Sequence, residues 1–223
     1  RRNPRPRRRR SANHRRLTAM TPLAPTLSIR DEERRQRAGH GGAVVWITGL
    51  SGAGKTTLAD ALQRTLFDLG CQVFALDGDK VRNGLCADLG FSLPERSENI
   101  RRIGEVAHLF CQAGQIVIVS AISPMRADRA RVRALVPAPQ FIEVYCRCPL
   151  AVCEARDPKG LYRRARAGQL AEFTGISSPY EAPEAAEVVV DSTAASVDDG
   201  VGKVLAKLRQ MKIIKAAQYQ GEE

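Results

Sequence analysis

The residues best suited to chemistry lie in one run, Gly49-Leu50-Ser51-Gly52-Ala53-Gly54-Lys55-Thr56, which has the spacing G-x-x-x-x-G-K-[ST]. Gly49, Gly52 and Gly54 let the backbone approach a phosphate closely, and with Ser51 and Ala53 they turn peptide N–H groups toward it. Lys55 is placed to reach the β- and γ-phosphates of a nucleoside triphosphate. The Thr56 hydroxyl is placed to ligate Mg²⁺, and Thr57 follows in the same turn. A β-rich run ending in glycine precedes the motif and a helical pattern follows it, which is the context a phosphate-binding loop (P-loop) requires. Such a loop specifies a triphosphate site and leaves the acceptor open.

The metal side needs a carboxylate. The apolar run 116–122 ends in Ser120-Ala121-Ile122-Ser123 and offers none. Asp77 and Asp79, at the end of an earlier strand-like run, are the acids available. Carboxyl ends of strands face the ligand crevice in sheets of this kind. Asp77 is therefore assigned to the Mg²⁺ shell or the acceptor hydroxyl, and Asp79 with Arg82 to the acceptor. An Asp-Gly turn without chemistry is the alternative.

Ser92-Leu93-Pro94-Glu95 has the S-x-x-E form of a capping box and predicts a helix start. The inward stripe of that helix runs 96, 99, 100, 103, 107, 110. Arg96 and Asn99 occupy its first turns, where core residues are expected. A buried arginine needs a partner, and an anionic ligand is the expected one; snorkelling to solvent is the alternative. Further on, residues 156–166 gather five cations, Arg156 and Lys159 among them, around Asp157. The segment continues to Phe173-Thr174-Gly175 without a strand. It reads as a mobile lid that brings cations over transferring phosphates and excludes water, or as a solvated basic helix.

The elements that must position these residues alternate. Strand-like runs cover 43–48, 72–76, 116–122, 141–146 and 187–191; helical patterns cover 55–69, 95–113, 126–135, 149–155 and 197–215. Continuous Val/Ile runs fit parallel strands buried on both faces. The alternation predicts an α/β fold, a doubly wound parallel five-stranded sheet of the P-loop NTPase type with helices on both faces.

The 223 residues suffice for one domain. The net charge of +11 is unevenly spread: residues 1–40 hold 13 Arg against three acids, and residues 41–223 hold 22 Lys+Arg against 21 Asp+Glu. The basic character belongs to an arm, 1–40, expected to be disordered, and the domain proper is assigned to 41–223. A nucleic-acid or other anionic surface is a candidate partner for the arm alone. Its first 30 residues lack acids, as organellar targeting segments do, though serine is sparse. No stretch of about 18 apolar residues predicts a membrane span. The six cysteines, Cys71, Cys86, Cys111, Cys146, Cys148 and Cys153, form no CxxC pair; reduced thiols in a cytoplasmic compartment are expected, without zinc.

Several segments resemble the adenylylsulfate (APS) kinase family, over about residues 42–210. They are the P-loop, Leu76-Asp77-Gly78-Asp79-Lys80-Val81-Arg82, Asp88-Leu89-Gly90-Phe91-Ser92, the run from Arg96 through Asn99-Ile100-Arg101-Arg102 to Glu105, Ile122-Ser123-Pro124 with Arg126, and the basic segment from Arg156 to Glu181. The resemblance implies transfer from ATP, with Mg²⁺, to the ribose 3′-hydroxyl of APS. It implies an adenine held between Phe91 and Phe173, and acceptor contacts from Arg82, Arg96, Asn99, Ile122 and Lys159. It places the family's phosphoserine position at Ser123, although in-line transfer needs only positioning and charge stabilisation. It also implies a homodimer and an ATP sulfurylase partner or fusion. Asn83, Glu95 and Met125 stand where the family pattern has His, Asp and an aromatic. On residues alone, a kinase for another small acceptor and a non-catalytic nucleotide-binding adaptor remain rivals.

Overall fold

The computed structural model describes residues 29–215. Five strands build the frame: β1 (Ala43–Thr48), β2 (Val73–Asp77), β3 (Ile116–Ser120), β4 (Phe141–Arg147) and β5 (Val188–Asp191). All pair in parallel, in the order β2-β3-β1-β4-β5. Eight helices occur among the described residues: α1 (Asp31–Ala38), α2 (Lys55–Asp68), α3 (Gly78–Arg82), α4 (Leu93–Gln112), α5 (Arg126–Leu135), α6 (Leu150–Arg156), α7 (Leu161–Arg166) and α8 (Val197–Gln210).

The sheet is apolar on both faces because helices cover both. Val45 and Ile47 point to one side, where Leu58, Leu62 and Leu66 of α2 and Val204 and Leu208 of α8 pack. Val44 and Trp46 point to the other, against Ile100, Ile103 and Ala107 of α4 and Val132 of α5. Period-2 alternation along β1 and period-3.6 stripes on the helices meet in two separate cores. The path reverses at β1 and β3: β1 leads outward to β2, and β3 leads over β1 to β4. The crevice at the carboxyl ends of β1 and β3 is where such sheets bind ligands.

Three helices depart from the sequence expectation. α1 lies inside the arm expected to be disordered. It has no apolar stripe. Its first turn carries Asp31, Glu32 and Glu33 and its last carries Arg35 and Arg37, matching the helix dipole, and Gly39 caps it in the left-handed conformation. The expectation for residues 1–40 is therefore corrected over 31–38, while residues 1–28 lie outside the described part. α3 replaces the Asp-Gly turn: Asp77 Oδ1 accepts from the backbone N–H groups of Asp79 and Lys80 at 3.0 and 3.2 Å. α7 sits within the basic lid, its first N–H groups held by Asp157, which accepts from Tyr162 N and Arg163 N at 3.0 Å each.

Candidate active site

The P-loop follows β1 and wraps into α2. Gly52 and Gly54 have φ of 74° and 89°, a left-handed conformation that glycine adopts without cost. Gly49 is required by space instead: a Cβ there would stand 2.7 Å from the carbonyl oxygen of Cys146. Ala53 is buried beneath the loop. Lys55 Nζ donates to Leu50 O at 2.7 Å, and burial pulls its ammonium down to about 8. A cation this poorly solvated is primed to gain from incoming phosphate oxygens.

Across the crevice, Asp77 Oδ2 accepts from Thr56 Oγ1 at 3.3 Å and from Ser120 Oγ at 3.1 Å. Burial raises the Asp77 pKa, but hydrogen bonds from Lys80 N, Ser120, Asp79 N and Thr56 outweigh it and hold the carboxyl below its usual value. A hydroxyl and an ionised carboxylate side by side are the hard oxygen donors that Mg²⁺ accepts alongside water and phosphate. Thr56 and Asp77 therefore fit the metal.

The P-loop and Asp77 open onto one cavity of about 480 Å³. Of the sequence-assigned residues, Ser51, Gly52, Gly54, Lys55, Thr56 and Thr57 line it from the loop side. Asp77, Asp79, Arg82, Phe91, Arg96 and Asn99 line it from β2, α3 and α4; Ile122 and Ser123 follow β3. Arg156, Lys159 and Phe173 come from the lid. Ser51 and Phe173, 122 positions apart, thus share one wall; Gly49 and Ala53 lie outside the lining and shape the loop.

The acceptor end is built by clamps. Arg82 lies over the Phe91 ring at 4.4 Å and donates to Gly90 O at 2.9 Å. Phe91 itself is 58% exposed, an open aromatic face. Glu95 reaches back to Gly90 N at 2.9 Å and Ser92 N at 3.1 Å, so the capping box forms, and the same glutamate also holds the Phe91 turn. Asn99 is buried with its Oδ1 unpartnered. Phe173 packs edge-on to Tyr162 at 5.0 Å.

The contacts change the expected partner of Arg96 and agree with a non-covalent role for Ser123. Arg96 is buried, yet its partners are protein groups: Phe91 O at 2.6 Å, Glu172 O at 2.6 Å and Thr174 Oγ1 at 3.0 Å. An anionic ligand is not needed to explain its burial; Arg96 ties the lid loop to α4. Burial, with Arg82 nearby, lowers its pKa. Ser123 is 1% exposed, and its Oγ accepts from Trp46 Nε1 at 3.1 Å. No His, Lys or carboxylate hydrogen-bonds it among the described residues, so nothing there activates it as a nucleophile.

The lid is docked. Tyr162 OH donates to Ser51 O at 3.0 Å, and Lys159 pairs with Asp79 across the cavity mouth. Arg156 Nη2 donates to Ser192 O at 2.8 Å and its Nη1 to Gly52 O at 3.4 Å. Sequence reading did not single out Ser120, Thr174 or Ser192. Only Ser120 carried a signal, a hydroxyl ending a buried strand beside the carboxylate strand.

A triphosphate cradle, a metal-ready Thr–Asp pair, an aromatic-and-guanidinium acceptor wall and a cationic lid, on a five-stranded parallel sheet, define a P-loop kinase. The adenylylsulphate kinase family model matches residues 41–191. The adenylyl-sulfate kinase of Shewanella amazonensis is 57% identical over 178 residues, covering 80% of this chain and 90% of that protein. Among solved structures, a Mycobacterium tuberculosis APS kinase in complex with AMPPNP and APS is 43% identical with a TM-score of 0.73, covering 76% of this chain and 99% of that one. A hexameric APS kinase from Thiobacillus denitrificans is 32% identical with a TM-score of 0.60, covering 86% of this chain and 40% of that one. The chain belongs to the adenylylsulphate kinase family.

Proposed function

We infer that the chain transfers the γ-phosphoryl group of ATP to the ribose 3′-hydroxyl of APS, yielding ADP and 3′-phospho-APS. The observation that carries this reading is the single cavity that joins the P-loop and Asp77 to the Arg82–Phe91 and Arg96–Asn99 wall. Mg²⁺, held by Thr56 and Asp77, would neutralise phosphate charge. Lys55 binds the β- and γ-phosphates, and Arg156 and Lys159 bring positive charge from the lid. Lys159 leaves Asp79 to do so, which frees Asp79 for the acceptor side. Phe91 and Phe173 hold the adenine of APS, with Arg82, Arg96, Asn99 and Ile122 around it. Ser123 shapes the wall by position and is not a covalent carrier.

ADP release from ATP and Mg²⁺, measured with and without APS, tests the reading. Release that depends on APS, with 3′-phospho-APS as product, supports it; ATP binding without APS-dependent turnover would redirect it to another small acceptor. We further propose a cytoplasmic homo-oligomer, a dimer in the simplest case, with an ATP sulfurylase as a candidate partner. No described helix is long and apolar enough to cross a membrane. Anionic surfaces are candidates for the Arg-rich residues before 29. A truncation testing that should start at residue 29, because α1 packs on the domain through Arg35 and Lys212 O.

A further inference from the structure

We propose that Arg129 is the positioning residue of the acceptor wall, fixing the backbone of Ser123 and tying it to the root of the lid. Arg129, on α5, is 3% exposed and does not line the cavity. Its guanidinium is divided three ways. Nη1 donates to Ser123 O at 2.6 Å, Nη2 to Glu181 O at 2.7 Å, and Nε to Glu143 Oε1 at 2.7 Å.

Each partner has a reason to need it. Ser123 has φ 41°, a left-handed conformation unfavourable for a serine and kept only when its surroundings enforce it. Trp46 fixes its hydroxyl from the sheet side, and Arg129 fixes its carbonyl from the helix side. Glu181 ends the segment that returns from the lid. Its N–H donates to Pro124 O at 2.9 Å and its carboxylate accepts from Arg126 N at 2.7 Å. Thr48 extends the stitch, donating to Ile122 O at 2.7 Å and meeting Tyr180 OH at 3.1 Å. Residues 122–126 and 179–182 are therefore one unit with Arg129 beneath it. Glu143 supplies the counter-charge, oriented in turn by Arg133 at 3.2 Å. A planar fork sets three separate nitrogens against two carbonyls and a carboxylate, as Nη1, Nη2 and Nε do here; the single nitrogen of a lysine cannot stand at all three places.

This assignment rests on the acceptor reading above, so the test separates the two. In wild-type protein, APS-dependent turnover is measured first. Arg129→Lys should then raise the KM for APS about tenfold while the KM for ATP stays within about twofold, as expected for a misplaced acceptor wall. The decisive arm is Ser123→Gly, since glycine adopts the same φ without strain. In that background Arg129→Lys should cost only about twofold in APS KM relative to Ser123→Gly alone. An equal factor in both backgrounds, or parallel changes in both KM values, would mean that Arg129 is merely structural. Should Arg129→Lys fail to fold, Glu143→Gln takes its place with the same expectations. Amide exchange gives a readout independent of acceptor identity. The Arg126 and Glu181 N–H groups should exchange faster in the variant, and unchanged exchange there overturns the proposal even if APS proves to be the wrong acceptor.

Discussion

Nucleotide affinity should fall as pH rises through 8, and Lys55 sets the slope. Burial holds its ammonium at about 8 in the free protein, against about 10.4 for an unperturbed lysine. Phosphate oxygens favour the charged form, so a bound triphosphate returns the group to the cationic state. About nine-tenths of the free protein carries the charge at pH 7 and about one-tenth at pH 9. Binding at pH 9 therefore takes up about 0.9 proton and at pH 7 about 0.1, and the Kd rises about tenfold between them. Calorimetry of Mg²⁺ with a non-hydrolysable ATP analogue, in two buffers of different ionisation heat, reads both quantities. Lys55→Arg supplies the control, because a guanidinium stays charged throughout and its profile should be flat. The free protein should show the opposite slope in stability. The folded-state pKa lies below the unfolded one, so the unfolded chain binds more protons between about 8 and 10.4 and folding gains with pH across that window. A wild-type Kd that does not change with pH, with no proton uptake at pH 9, would refute the reasoning.

Three further outcomes follow from the contacts. Asp77→Asn keeps an oxygen for the α3 cap but loses the charge beside Thr56. kcat should fall at least about a hundredfold with melting temperature nearly unchanged, and the Mg²⁺ titration midpoint should rise. Gly49→Ala would press a Cβ against Cys146 O at 2.7 Å; a loss of about 1–3 kcal/mol in denaturant unfolding is expected, with ATP binding lost in the same variant. Arg96→Ala strips partners from Phe91 O, Glu172 O and Thr174 Oγ1, at a cost of about 2 kcal/mol. It should weaken APS use more than ATP use and speed amide exchange at 172–174.

The strands were legible because burial on both faces demands uninterrupted Val and Ile, and α5 matched its expected bounds, 126–135, just after Pro124, although its buried face is Asp128, Arg129 and Val132 rather than an apolar stripe. α1, α3 and α7 were not legible. Charge at its ends and a glycine stop make α1; α3 hangs on the Asp77 side chain, and α7 on Asp157 and a buried Tyr162. In the site, the P-loop was readable because local backbone geometry dictates its residues. Asp77 was readable as an acid at a strand end beside the acid-free run 116–122; Asp191 also ends a strand, β5, but lies outside the cavity lining. The partners of Arg96 were misjudged because Glu172 and Thr174 are distant in sequence, and spacing cannot show which carbonyls a guanidinium will find. Arg129 was invisible for the same reason: its function is a junction of three segments.

The described chain begins and finishes at the same end of the sheet. Gly41 N donates to Ile213 O at 2.8 Å, and a Cβ on Gly41 would touch Ile213, at the amino edge of β1 and away from the cavity mouth. The entry into β1 and the exit from α8 therefore lie together at the end of the sheet opposite the cavity. The domain is a plug-in module: a tether, a surface anchor or a neighbouring enzyme can be joined at either end with the mouth facing outward. The proximity of the two ends also makes a circular permutant, closed here by a short linker and reopened at a distant surface turn, a realistic way to rewire its attachment while keeping its catalytic face.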